Sequence, residues 1–234
     1  PVELLVEYDG RSERLVRVSE QAVTSALQRL ALRGERWVVG LAGHGEASLA
    51  GRANYDLGDF GAALARAGYR VQPLTLADTG QVPRNAALVV LAAPQVELSR
   101  AEQAVLLDHV AAGGNLLWLL GDRGTSRAAQ LAAGLGLESL PGVVVDPAAA
   151  TVGAAEPTVA VVARYPDHPA VGQLATLSVF PGAVALDAAP DGWTATALLQ
   201  TGAQSWNETG PVKGEVTADP ARGERRGPLS LGWA

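Results

Sequence analysis

Three short segments of the sequence are apolar almost throughout, and they alternate with segments that have helical spacing. They are residues 37–41, 88–92 and 115–120. A strand that is apolar on both of its faces must be covered on both sides, which is typical of a parallel sheet. Strands that alternate with helices favour right-handed crossovers and a doubly wound arrangement. The pattern therefore predicts a flavodoxin-like α/β fold with a mostly parallel sheet.

The predicted organisation has three parts. Residues 1–35 form a lead-in hairpin, with its turn at Asp9-Gly10, and a helix that begins at Ser19 and ends at Gly34. Residues 36–146 form the flavodoxin-like core. Residues 147–234 form a β-rich extension of the same domain, punctuated by Pro and Gly, whose last strand is cut short at the C-terminus.

Composition excludes several classes of chemistry. The sequence has no Cys, so thiol nucleophiles, thiolate metal sites and disulfides are absent. A net charge of −6 argues against nucleic-acid binding, which needs a clustered basic face. The apolar stretches are far shorter than the ~20 residues that span a bilayer. Because Met is also absent, we expect the chain to be an excised fragment or a processed product.

The loop Gly43-His44-Gly45-Glu46 follows the first apolar strand, where sheets of this kind bind ligands. It is not a dinucleotide fingerprint, because Ser48 occupies the third glycine position and no acid follows the next strand. A phosphate-binding P-loop is excluded, since the only lysine is Lys213, in a polar segment. We therefore predict no cofactor.

The sequence lacks the residue patterns that nucleophilic catalysis requires. The sequence contains no Gly-x-Ser-x-Gly elbow, and the second apolar strand runs into Ala93-Pro94-Gln95, which holds no nucleophile. His44, Glu46 and Asp122 follow strands at the same predicted edge and could converge for acid–base or metal chemistry. We predict no catalytic or metal-binding residue, and a hydrolase or metal-dependent enzyme that uses those three residues remains the alternative.

The candidate binding residues are those expected at the carboxyl edge of the sheet, together with one aromatic residue. They are His44, Glu46, Asn54, Pro94, Gln95, Asp122, Arg123 and Trp206. Residues 207–228 are polar and rich in Gly, Pro and charge, which predicts a long loop. Trp206 lies in the polar loop Ser205-Trp206-Asn207-Glu208, where it could stack on a sugar or a partner, or could plug the edge of the core. Both alternatives for Trp206 stay open.

Short motifs in a fixed order run along nearly the whole sequence. They are Gly43-His44-Gly45-Glu46, Asn54-Tyr55, Pro83 with the strand to Pro94, Ser99-x-x-Glu102, Gly113-Gly114-Asn115, His168-Pro169, Phe180-Pro181, Ser205-Trp206-x-Glu208 and Gly227-Pro228-Leu229. In this order and spacing the chain resembles the extracytoplasmic domain of GldG-like proteins, the gliding-motility-associated auxiliary subunits of ABC transporters.

The resemblance implies a class I glutamine-amidotransferase-like fold without amidotransferase chemistry, related to modules of intraflagellar-transport proteins. It also implies a location outside the cytoplasmic membrane, tethered by helices absent from this sequence, and partnership with an ABC permease and ATPase. The leading hypothesis is a non-catalytic domain that binds a partner subunit, a peptide or a glycan. A spacer or dimerisation module is a further alternative.

Overall fold

The computed structural model describes residues 4–15, 19–20, 23–24, 26–27, 36–121, 124–189, 191–214 and 216–234. The chain divides into two compact units, Pro1–Gly121 and Asp122–Ala234.

The first unit begins with an antiparallel hairpin of β1 (Leu4–Tyr8) and β2 (Arg11–Leu15). Its turn residues Asp9 and Gly10 both have positive φ, 48° and 74°. Positive φ at both central positions is what a two-residue turn between twisted strands requires, so the predicted turn is confirmed. Among the residues that follow, 20, 23–24 and 26–27 are helical. The predicted end of that helix, at Gly34, lies outside the described residues.

A four-stranded parallel sheet is the centre of the first unit. Its strands are β3 (Trp37–Leu41), β4 (Arg70–Leu74), β5 (Ala86–Ala92) and β6 (Leu116–Leu119). Their order is β4-β3-β5-β6, and every pair is parallel. The chain leaves β3 toward one side for β4 and returns to the other side for β5. This reversal makes the carboxyl ends of β3 and β5 the topological switch point, the position at which open α/β sheets bind ligands.

Both faces of the central strands are buried, as the apolar runs predict. Val38 and Val39, which point to opposite faces of β3, are each at most 3% exposed. Val38 and Val90 form a core cluster with Leu49, and Leu57 and Leu64 pack against that cluster. A strand buried on both faces has no room for alternating polar side chains, which explains why β3 and β5 are apolar throughout.

Beyond the helical residues noted above, three further helices are described in the first unit. They are α1 (Gly58–Arg66), α2 (Leu76–Thr79) and α3 (Arg100–Ala111). The helix α1 links β3 to β4, and α3 links β5 to β6, so the two crossovers run in opposite directions across the sheet. Right-handed crossovers that run in opposite directions put their helices on opposite faces. The structure thus has the mixed α/β character and the parallel sheet that the sequence predicts.

The second unit consists mainly of short strands. Its elements are α4 (Ala129–Gly134), β7 (Leu137–Ser139), β8 (Val143–Val145), β9 (Val159–Val162), β10 (Ser178–Pro181), β11 (Leu186–Ala188), β12 (Ala197–Gln200), β13 (Trp206–Glu208) and β14 (Ser230–Trp233), with 3-10 turns at Thr125–Ala128, Pro147–Val152 and Pro220–Arg222. The strands form four antiparallel pairs, β7 with β11, β8 with β13, β9 with β10, and β12 with β14. Val144, Ala160, Ala185 and Leu229 form its apolar core.

Two sequence predictions about this region are corrected. Val143–Val145 was expected within the parallel core, but it pairs antiparallel with Trp206–Glu208. Residues 207–208, expected in a long loop, belong to that partner strand. A strand of three residues carries too little pattern to reveal its partner. Within the described residues, no helix is both long and apolar enough to cross a membrane.

Candidate functional site

The loop that follows β3 is bound to the turn that follows β5. The carbonyl oxygen of His44 accepts hydrogen bonds from the backbone N–H of Gln95, at 2.7 Å, and of Val96, at 3.0 Å. The N–H of Ala47 donates to the carbonyl of Ala92 at 2.9 Å. Gly45 has φ of +76°, and a Cβ there would lie 3.0 Å from the Gln95 side chain, so the backbone conformation and the close approach both favour glycine. The two loops of the switch point therefore form one connected surface.

The His44 imidazole lies between two carboxylates. Its Nδ1 is 3.4 Å from Glu46 Oε1, and its Nε2 is 3.2 Å from Glu102 Oε2. The side chain of His44 is 17% exposed, whereas those of Glu46 and Glu102 are 1% and 8% exposed. The other oxygen of Glu46, Oε2, accepts the backbone N–H of His44 at 2.7 Å. The three side chains thus form a nearly buried group, the His44 cluster.

Glu102 joins this cluster to the first turn of α3. Its Oε2 accepts the backbone N–H of Ser99 at 2.9 Å, and the Ser99 hydroxyl accepts the N–H of Glu102, which completes the predicted capping box. Burial raises the pKa of Glu102, but hydrogen bonds from Ser99 and the neighbouring His44 together lower it below its usual range. Glu102 is therefore held as a carboxylate at the start of the helix.

The contacts of the His44 cluster decide what chemistry it can perform. A general base needs a ring nitrogen within reach of the substrate proton, but both nitrogens of His44 already face carboxylates. Glu46 bonds to a backbone N–H, and Glu102 caps a helix. These contacts weigh against the hydrolase alternative. Across the described part of the chain, no group of three or more His, Asp or Glu side chains is arranged to hold a metal ion.

The remaining predicted edge residues have different environments. Gln95 is exposed, and its side-chain amide donates to the carbonyl of Ala93 at 2.8 Å. Asn54 is exposed in the loop before α1, whereas Pro94 is buried. Asp122 and Arg123 lie outside the described residues. The structure therefore brings His44, Pro94 and Gln95 to one place, with Glu46 beneath them.

The turn after β5 has an unusual backbone. Ala93 has φ of +47°, a region that residues with a side chain seldom adopt and that costs roughly 1–2 kcal/mol. It is held there by its N–H bond to the carbonyl of Leu119, at 2.8 Å, and by the Gln95 side chain. Val96, just beyond, is 59% exposed. The strain is associated with a turn that projects Gln95 and Val96 outward.

Trp206 lies in the second unit and is buried. It is 7% exposed, and its indole N–H donates to Glu208 Oε2 at 3.1 Å. Stacking on a ligand needs an open aromatic face, so this burial weighs against the binding alternative and favours the alternative in which Trp206 plugs the edge of the core. The prediction that Trp206 lies in a polar loop was wrong, because its neighbours Asn207 and Glu208 are buried with hydrogen-bond partners.

Sequence reasoning missed two features. The first is the contact of Glu102 with His44, for which the capping-box motif gave only the helix role. The second is a cavity of about 400 Å³ in the second unit, lined in part by Glu208, Glu224 and Arg222. Glu224 accepts the backbone N–H groups of Asp219 and Thr209, at 2.6 and 3.0 Å. The Glu224 carboxylate therefore holds the polar backbone around the cavity in place. No local motif in the sequence indicates this role.

Comparisons with known proteins agree with this architecture. The chain is similar to a solved structure described as "mmIFT52 N-terminal domain", with a TM-score of 0.56 and 20% identity, over 74% of this chain and 80% of that one. At that identity the likeness shows the fold alone. The comparison with curated proteins finds no match. A family model, ABC_transp_aux, described as "ABC-type uncharacterized transport system", matches residues 36–232. The chain therefore belongs to this family of ABC-type transport auxiliary proteins.

Proposed function

We propose that this chain is a non-catalytic binding or scaffolding domain of an ABC-type transport system. In this proposal it is a GldG-like subunit of gliding-motility type with an amidotransferase-like fold, and it lies outside the cytoplasmic membrane. Its partners are the permease and ATPase of the same system, and it contacts the permease through the carboxyl edge of the parallel sheet. Family membership supports the transport role, and the GldG-like resemblance supports the location and the partners.

One observation carries the choice of surface. At the switch point, the polar side chains of His44, Glu46 and Glu102 are directed at one another and at backbone groups. The turn they support projects Gln95 and Val96 outward. Side chains locked in this way offer no free acid or base to a substrate, but they hold a neighbouring surface in a fixed shape. A pre-shaped surface reduces the entropy cost of binding a partner.

The exposed side chains near this edge suit a protein partner. Val96 is 59% exposed and Tyr55, next to Asn54, is 73% exposed. Exposed aromatic and aliphatic side chains beside polar ones are typical of protein-interface anchors. The cavity of the second unit is lined by carboxylates that already accept hydrogen bonds, so it offers less to a ligand.

Site-specific cross-linking tests this proposal. A photoreactive amino acid replaces Gln95 in the full chain, which is produced together with the permease and ATPase of its own system. The matched control places the same amino acid at Arg84, which is exposed at the opposite, amino end of β5. We expect a covalent product with the permease from position 95 and not from position 84. Equal products from both positions, or none from position 95, would reject this surface.

The location is tested separately, because the chain has no cysteine of its own. A single Cys at Gln95 gives this chain one labelling position for a maleimide that cannot cross membranes, and any cysteine elsewhere in the full-length protein is first replaced by Ser. Labelling in intact cells, or in cells whose outer envelope alone is opened, supports the extracytoplasmic location. Labelling that appears only after the inner membrane is broken would place the domain inside the cell.

A further inference from the structure

We propose that the His44 cluster is a proton-controlled latch that sets the shape of the Gln95–Val96 surface. The inference rests on the proposed function, because it describes how the same surface is regulated. His44 is the residue at which the two switch-point loops and the first turn of α3 meet. A change in the proton count of its ring therefore reaches all three elements.

The geometry gives the latch three connections. The backbone carbonyl of His44 holds the N–H groups of Gln95 and Val96. The backbone N–H of His44 is held by Glu46, and its ring Nε2 contacts Glu102. Through these bonds the position of His44 fixes the turn that carries the exposed surface. Displacement of the ring moves the acceptor on which that turn depends.

The number of protons on the ring decides how many of these contacts are favourable. A neutral imidazole has one N–H donor and one lone pair, whereas an imidazolium has two donors. Both ring nitrogens of His44 face carboxylate oxygens, so a neutral ring turns a lone pair toward either Glu46 or Glu102. Among the described residues, Glu46 Oε1 is a buried oxygen without a hydrogen-bond partner. A proton on the ring Nδ1 can donate a hydrogen bond to this oxygen and so offset the free-energy cost of burying it.

Two titratable groups face the ring within the described structure. Glu46 faces it from its own loop, and Glu102 faces it from α3. With an imidazolium the cluster carries a net charge of −1, and with a neutral ring it carries −2 in a nearly buried space, which is more costly. Rising pH therefore loosens the latch by deprotonating the ring. Strong acid also loosens it, by protonating the carboxylates. The surface is most ordered between these limits.

The test uses the full chain and follows His44 directly. Nitrogen-15 NMR of the imidazole distinguishes the imidazolium from either neutral tautomer, and the variants His109→Gln and His168→Gln identify the other two rings. We expect His44 to pass from the imidazolium to a neutral form as the pH rises. Over the same titration the exchange protection of the Gln95 and Val96 amides, corrected for intrinsic pH dependence, falls about tenfold.

His44→Gln is the matched variant, since its side-chain amide offers a donor but does not titrate. We expect its Gln95 and Val96 protection to be independent of pH. If the variant does not fold, the wild-type measurement still decides. The latch is overturned if the His44 ring keeps one protonation state over the whole pH range in which the domain stays folded, or if the exchange protection of the Gln95 and Val96 amides does not follow the protonation of the ring. The failure of Gln95 to cross-link at every pH would instead reject the proposed function and leave the latch intact.

Discussion

Replacement of Glu102 by Ala is the sharpest test of how the candidate site is built. The residue is nearly buried and has two partners at one oxygen, the Ser99 N–H at 2.9 Å and the His44 Nε2 at 3.2 Å. Alanine has no carboxylate, so both contacts are lost. It leaves the first turn of α3 without its reciprocal cap, and it leaves His44 with a single carboxylate.

The expected magnitude follows from these two contacts. Loss of a helix cap costs about 1 kcal/mol, and loss of a charge-assisted hydrogen bond costs about 1.5–3 kcal/mol. Because the two contacts share one oxygen they are not fully additive, and we expect Glu102→Ala to lower the local opening free energy by about 2–3 kcal/mol. Glu102→Gln keeps an acceptor for Ser99 but loses the charge that faces His44. We expect it to cost about 1–2 kcal/mol.

The assay must report on the first unit alone, because the chain has two compact units and their unfolding transitions need not coincide. Hydrogen exchange, read by mass spectrometry on peptides that cover residues 95–111, measures opening of the turn and of α3. Peptides from the second unit serve as an internal reference. The reference peptides should be unchanged in both variants.

Glu97→Ala is the control, because Glu97 is an exposed acid in the same turn. We expect its effect to stay within about 0.5 kcal/mol. The expected order of destabilisation is Ala at 102, then Gln at 102, then Ala at 97. If all three variants behave alike, the contacts of Glu102 do not hold the site together and the description of the His44 cluster is wrong.

Two further predictions concern other parts of the chain. Gly61→Ala places a Cβ 1.9 Å from the carbonyl oxygen of Leu49, so we expect it to lower the free energy of unfolding by at least about 1–3 kcal/mol, measured by chemical denaturation. Gly202→Ala is the control, because a Cβ there meets nothing within 4 Å, and its effect should stay within about 0.5 kcal/mol. Hydrogen bonds from the backbone, led by that of Asp219, lower the pKa of Glu224 from 4.5 to about 2. Its stabilising effect is therefore fully present above pH 4.5 and is lost as the pH falls toward 2, and Glu224→Gln should remove that part of the acid dependence, measured by acid unfolding. An unchanged acid profile in Glu224→Gln, or equal losses in the two glycine variants, would contradict these assignments.

The parallel sheet could be predicted because its central strands are buried on both faces and so are apolar along their whole length. Strand β4 at the edge is different, since it contains Arg70, Gln72 and Pro73, and Pro is confined to sheet edges and ends. The alternation of helices and strands predicts β4 as a strand, whereas its own residues do not. The Ser99–Glu102 cap was predictable for a related reason, because both partners lie within one helical turn.

Contacts between residues that are distant in the sequence could not be predicted. Asn207 is predicted as a loop residue, but it is buried. Its side-chain amide donates to the carbonyl of Pro141, and its side-chain oxygen accepts the N–H of Arg225. A buried polar residue is tolerated only when such partners exist, and the local sequence does not show them. The meeting of His44 with Glu102 has the same origin. It depends on the reversal of strand order at β3 and β5, which no local pattern reveals.

Recovery of the permease with the full-length protein tests the central proposal most directly. The native chain, Val96→Asp and Arg84→Asp are each produced with the permease and ATPase of their system, and the captured permease is quantified after the fold is checked by hydrogen exchange. Val96 and Arg84 are both exposed, at opposite ends of β5. We expect Val96→Asp to reduce recovery about tenfold, as loss of a buried apolar anchor does, and Arg84→Asp to leave it unchanged. Equal recovery with all three chains would contradict binding at the carboxyl edge.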